Sequence, residues 1–206
     1  MSEPMFRSAL AERSDAHGAQ GLSIAVREIT ERGMIDVRGE AGDGRFTGVL
    51  NEVLGFSLPV VPRTSIESGN IAALWLSVDQ WLITLPRAEA AAMHGRLSLA
   101  LEGVHSLIVD MSDARTILRL EGEDVREVLN KGTSVDFTGP DMIKGAVRRL
   151  RYAEIAAMVH VISTDPDIVD LYVFRSYAVH AWTYLMTTAR PGARIKLFGR
   201  QEIEGV

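Results

Sequence analysis

The sequence predicts an α+β fold in which short antiparallel strands group around several helices. Three observations carry that reading. Apolar residues recur with period two in short runs bounded by turn residues. Stripes with helical spacing fall between those runs. The regular βαβ alternation of a nucleotide-binding parallel sheet, with its Gly-rich first turn, is missing. A loosely duplicated strand-strand-helix unit emerges, with no shorter repeat.

In chain order, residues 1–21 read as a flexible arm, because Ser14-Asp15-Ala16-His17-Gly18-Ala19-Gln20-Gly21 has nothing to bury. The period-two run at 22–26 opens the ordered part, and 34–39 continues it after a Glu31-Arg32-Gly33 turn. Phe46, Val49, Leu50, Val53 and Leu54 form one stripe of a three-turn helix, ended by Gly55 where a left-handed residue is expected. The runs 71–77 and 80–85 form a hairpin about Val78-Asp79. Pro86 suits a helix start, and 88–101 is rich in strong helix formers up to Gly103. Strands follow at 106–110 and 116–120, then a helix at 123–131 closed by Gly132. Three further strands lie at 148–152, 155–162 and 168–174. Ser176 is placed to cap a last helix to about Thr188, with Val179, Trp182 and Leu185 or Met186 inward. Residues 22–190 thus make one domain, and 191–206 a tail.

Composition narrows the function. The chain has 206 residues, 47% hydrophobic and 24% charged, which is ordinary for a folded domain and not for a disordered chain. A net charge of −5 argues against nucleic-acid binding, which rests on clustered Lys and Arg. The absence of cysteine excludes disulfides, thiolate metal sites and a Cys nucleophile. No apolar run suits a signal peptide or a membrane span, so the cytoplasm is the expected compartment.

No chemical constellation stands out. Gly39, Gly42, Gly44 and Gly48 lack the Lys-Ser/Thr ending of a phosphate loop, so they read as a loop. The five histidines share no metal-binding spacing, and His160, in an apolar strand, reads as packed. Asp110 and Asp113 flank Ser112; turn chemistry accounts for them, and a carboxylate facing a bound pterin is the alternative. Arg148, Arg149 and Arg151 are either an anion site or partner-facing patch, or a solvated strand face paired with Glu121, Glu123 and Glu127. Trp75, Trp81 and Trp182 are core candidates, or aromatic anchors of an interface.

Five ordered pieces carry a family likeness. They are Leu76-Ser77-Val78-Asp79-Gln80-Trp81-Leu82, Asp110-Met111-Ser112-Asp113-Ala114-Arg115, the stretch from Leu120-Glu121-Gly122 to Asn130-Lys131-Gly132, Val135-Asp136-Phe137, and Arg175-Ser176-Tyr177-Ala178. Each is short; their order and spacing together are specific. From about Leu74 to Leu185 the chain resembles the gamma subunit of heterotetrameric sarcosine oxidase. That family is related in fold to the aminomethyltransferase (glycine-cleavage T-protein) and other folate-binding domains. A related N-methyl amino acid dehydrogenase built on the same plan and an autonomous tetrahydrofolate-binding protein are the alternatives.

The resemblance implies a non-catalytic chain with alpha, beta and delta subunits as partners. FAD, FMN, NAD and tetrahydrofolate would all sit on those other subunits. Where many relatives have Lys-Gly-Cys, this sequence has Lys131-Gly132-Thr133, so no thiol acts there. No catalytic, cofactor or metal residue is assigned. The candidate interface is the N-terminal arm, the Trp81 hairpin, and Arg148, Arg149 and Arg151.

Overall fold

A computed structural model describes residues 6–13 and 22–193. Ten strands and four α-helices alternate: β1 (Ala25–Ile29), β2 (Arg32–Gly39), α1 (Gly44–Leu54), β3 (Ser65–Ser68), β4 (Ile71–Ser77), β5 (Gln80–Pro86), α2 (Ala90–Ala100), β6 (Ser106–Asp110), β7 (Arg115–Glu121), α3 (Val125–Asn130), β8 (Val147–Tyr152), β9 (Ile155–Thr164), β10 (Asp167–Phe174) and α4 (Ala178–Thr188). Every strand pair is antiparallel. One sheet runs β3-β4-β5-β2-β6 and the other β1-β7-β10-β9-β8.

The duplication hinted at by the sequence is real and interlocked. Reading the second sheet backwards matches β8, β9, β10, β7 and β1 to β3, β4, β5, β2 and β6. With β1 to α2 as one repeat and β6 to α4 as the other, each sheet takes its end strand from the other repeat. β1 precedes β2 but pairs with β7, while β6 precedes β7 but pairs with β2.

Alternation of side chains then dictates four layers. Met34, Leu74 and Leu82 from one sheet meet Ile117, Met158 and Tyr172 from the other in a shared middle core. The opposite faces are covered by helices. Ile35, Val37 and Ile83 pack under Phe46 and Leu50 of α1 and Met93 and Leu97 of α2. Leu118, Leu120 and Leu171 pack under Val128 and Leu129 of α3 and Trp182 and Leu185 of α4. Each fully buried side chain of this kind contributes about 1.5–3 kcal/mol.

Local chemistry fixes the element ends. The Asp43 carboxylate accepts from the Arg45 and Phe46 N–H groups and caps α1; of the four glycines read as a loop only Gly42 lies in one, since Gly39 ends β2 and Gly44 and Gly48 belong to α1. Gly55 ends α1 with φ +80°, the left-handed conformation read from the sequence. Gly132 closes α3 for a different reason. A Cβ there would come within 2.3 Å of the Tyr152 ring, so only glycine lets strand and helix approach.

Several expectations are corrected. Strand β1 lies at Ala25–Ile29, later than 22–26, and Arg32 and Gly33 belong to β2 and not to a turn. Strand β3 was not read from the sequence: Ser65-Ile66-Glu67-Ser68 is short and mostly exposed, with no apolar face to betray it. Helix α4 has no side-chain cap, since a 3₁₀ turn at Arg175–Tyr177 leads into it; Val179 points outward, and Ala178 and Ala181 join Trp182 and Leu185 inside. Within the expected arm, residues 6–13 fold back onto the domain and bury Leu10 beside Ile24 and Val26. The remainder of the arm and residues 194–206 lie outside the described residues.

Candidate interaction surface

The residues expected to face partners divide sharply. Trp81 does not reach the surface. It is 1% exposed, its indole N–H donates to the Pro59 carbonyl at 2.8 Å, and its ring lies 5.9 Å from that of Phe46. Its interface role is therefore replaced by a core role: β5 is a central strand with a helix layer over that face.

Arg148 is also turned inward. Its guanidinium donates to the Asp141 carboxylate at 2.6 Å and to the Arg63, Val147 and Asp141 carbonyls, tying β8 to two loops. That hydrogen bond holds the Asp141 carboxyl below its usual range. The arginine patch thus loses one member, and none of the three pairs with Glu121, Glu123 or Glu127. Arg149 and Arg151 remain exposed, Arg151 paired with Glu154 across the β8–β9 turn.

Arg149 lies on the same face as Val147, at the rim of the middle core. Its charge is felt by Arg115 of β7, whose guanidinium stacks 4.7 Å from the Phe174 ring centroid. Burial pushes the Arg115 pKa down, Asp36 opposes that shift, and Arg149 reinforces it. Asp36 accepts from Gln80 Nε2 at 2.7 Å through Oδ2, while Oδ1 and Arg115 Nε are buried with no hydrogen-bond partner. Sequence reading missed Asp36, Gln80 and Arg115 as a cluster because they come from β2, β5 and β7, brought together only by the facing sheets.

At the other end of the middle layer, Arg119 forms a two-pronged pair with Asp170 at 2.7 and 2.8 Å, which raises the Arg119 pKa. His160 stands beside Asp170 on β9, with Ser65 Oγ at 2.8 Å and Glu67 Oε1 at 3.5 Å from its Nε2. Burial is the dominant effect and lowers the His160 pKa; Glu67 and Asp170 pull it back. This is a packed histidine, as the sequence suggested. Among the described residues, no group of three or more His, Cys, Asp or Glu is placed to hold a metal ion.

The Asp110–Asp113 turn follows turn chemistry. The Ser112 N–H donates to Asp110 Oδ1 at 2.9 Å, the Ser112 hydroxyl accepts from Met34 N–H at 2.9 Å, and Asp113 pairs with Arg87. Asp110 shapes the turn locally, Ser112 ties it to Met34 of β2, and Asp113 ties it to Arg87 after β5. Among the described residues, no helix is long and apolar enough to cross a membrane.

Comparison with known proteins agrees with this architecture. Sarcosine oxidase subunit gamma from Corynebacterium sp. (strain P-1) is 31% identical over 125 residues, covering 59% of each chain. The counterpart from Arthrobacter sp. is 32% identical over 126 residues, again 59% of each. The matched part therefore spans about three fifths of these curated relatives. A chain of the heterotetrameric sarcosine oxidase from Corynebacterium sp. U-96 shares the fold with a TM-score of 0.82 at 21% identity, covering 92% of this chain and 97% of that one. Aminomethyltransferase T of the glycine cleavage system from Bartonella henselae matches with a TM-score of 0.59 at 14% identity, covering 80% of this chain and 46% of that one. The pattern of the sarcosine oxidase, gamma subunit family matches residues 38–190, from the end of β2 to just past α4. With about three quarters of its sequence fitting that pattern, the chain belongs to the sarcosine oxidase gamma subunit family.

Proposed function

We propose that this chain is the non-catalytic gamma subunit of a heterotetrameric sarcosine oxidase in the cytoplasm, assembled with alpha, beta and delta subunits. The complex oxidatively demethylates sarcosine to glycine, passes the one-carbon unit to tetrahydrofolate and produces peroxide. FAD, FMN, NAD and tetrahydrofolate are held by the other subunits, and this chain contributes surface.

The observation that carries the reading is the family match across residues 38–190. The geometry is consistent with it. Several arginines are spent on carboxylates: Arg119 on Asp170 in the middle layer, and Arg126 on Asp167 and Arg148 on Asp141 on the helix-covered side. Such pairs position backbone and strand; they leave the chemistry to partner chains. On β8, Arg149 and Arg151 are exposed and are the basic side chains this reading turns to a partner.

Co-expression with the three partner subunits tests the proposal. A yellow particle containing all four chains, consuming oxygen when sarcosine is added, is the expected result. A colourless single chain near 22.6 kDa would overturn it. Arg149→Glu should weaken assembly while leaving the isolated chain folded, as judged by circular dichroism.

A further inference from the structure

Four strands end the two sheets, and at three of them the chain places contacts of its own near the edge. At β1, the Ser23 N–H donates to the Ala189 carbonyl at 2.8 Å, and the Ser8 hydroxyl reaches the Glu28 carboxylate. The β3 and β8 edges meet at their first residues: Thr64 bridges Ala146, Ser65 N–H donates to Gly145 O, and Val147 N–H to Arg63 O, both at 2.8 Å. These edges also carry charge, with Arg27 and Glu28 on β1, Glu67 on β3, and Arg149 and Arg151 on β8.

Strand β6 differs on both counts. Ser106-Leu107-Ile108-Val109 carries no charge before Asp110. Met111 N–H donates to Met34 O at 2.7 Å, and Gly39 N–H donates away from β6, to Asp79 O at 3.1 Å. Antiparallel alternation then turns the backbone of Leu107 and Val109 towards β2, and that of Ser106, Ile108 and Asp110 to the open edge. Only a long 3.4 Å contact from His94 Nε2 to Ile108 O meets that edge among the described residues. Leu107 and Val109 stand on the sheet face beyond the reach of the second sheet, 51% and 36% exposed. A groove of about 610 Å³ continues from Leu107 past Val78, bordered by Glu40, Asp79 and Arg38.

We propose that β6 is a docking edge at which an extended segment of another subunit adds a sixth strand to the β3-β4-β5-β2-β6 sheet. Its side chains are apolar at alternate positions, and it carries a basic residue towards Glu40 and Asp79. The open N–H and C=O groups specify an extended backbone, and Leu107 and Val109 specify the apolar alternation. Two carboxylates against one guanidinium at the groove specify the basic residue. A second copy of this chain is the poorer occupant, because each copy carries a net charge of −5. This inference rests on the gamma-subunit reading and names the surface by which that subunit is held.

The test is hydrogen exchange on the full-length chain, free and in the co-expressed complex, with the double variant L107K/V109K compared by light scattering. Protection of the Ser106 and Ile108 amides at least tenfold greater in the complex is expected. The double variant should remain folded and bind its partners at least tenfold more weakly. Equal exchange in both states, or assembly of the variant at full affinity, would overturn the docking edge while the four-chain complex stood. Protection already present in the free monomer would place the chain's own undescribed residues on β6. A free dimer abolished by the variant would place a second copy there, and either result overturns the proposal. If the unaltered chain fails to join any partner, the gamma-subunit reading falls, and the docking edge with it.

Discussion

The two interlocked halves of this molecule share one topology and solve the same corner with opposite chemistry. A Gly-Glu pair, Gly39-Glu40 and Gly122-Glu123, marks the end of β2 and of β7 three residues after Asp36 and Arg119, which makes these equivalent positions on the middle face. Arg119 lies between Arg27 of β1 and Asp170 of β10. Asp36 lies between Val109 of β6 and Leu82 of β5. One corner is a satisfied ion pair beside a charged edge strand. The other holds a carboxylate oxygen with no donor beside an apolar, open edge. A fold can be duplicated faithfully while its two copies diverge in what they offer the outside, because backbone pairing depends little on which side chains line an exposed face.

The largest test of the comparison removes a central aromatic from each half. Trp81→Ala and Trp182→Ala should each cost about 3–5 kcal/mol, since both rings are fully enclosed. The exchanged end strands make each sheet depend on the other half. Calorimetry should therefore show a single transition that moves down in either variant. Two separate transitions would break the claim that the halves are interlocked.

Next in size is the corner itself. Arg119→Met leaves Asp170 buried with its two strongest donors gone, and should cost about 3 kcal/mol in urea unfolding. Asp36→Asn gives up less, about 1 kcal/mol, because Asp36 accepts one hydrogen bond, from Gln80, and meets Arg38 and Arg115 through charge alone. Equal losses would mean that the two corners are energetically alike.

Acidification probes the ionic half alone. Burial holds the folded-state His160 pKa below its ordinary value, so the unfolded chain takes up a proton first as pH falls. The contribution is full above about pH 6.5 and declines below it until folded His160 is itself protonated. The loss is at most about 1.4 kcal/mol per pH unit. Urea melts at pH 7.5 and 5.5 should show a steeper loss in the unaltered protein than in His160→Gln. Parallel losses would remove His160 from the account.

The smallest effect concerns the β8–β9 turn, where Ala153 and Glu154 both have positive φ (47° and 68°). Glu154→Gly should stabilise the protein by about 1 kcal/mol, because glycine occupies that region freely and the exposed Arg151 pair contributes little. An unchanged melting temperature would show that the turn is not strained enough to matter.

The sequence by itself determined the α+β class, nine of the ten strands to within a few residues, all four helices and the family. It did so because period-two and helical spacing survive wherever one face of an element is buried. It also placed His160 in packing and Asp110 with Asp113 in a turn, since both depend on chemistry within a few residues. The tertiary structure alone decided the rest. Whether Trp81 or Arg148 faced a partner depended on the helix layer and loops that close over them, and these are distant in sequence. The short strand β3 needed β4 to define it, because it has no buried face of its own. The exchange of β1 and β6 was equally hidden, since a strand's alternation says which face is buried but not which neighbour it pairs with. That choice is made by non-local backbone hydrogen bonds, and it left β6 as the apolar edge.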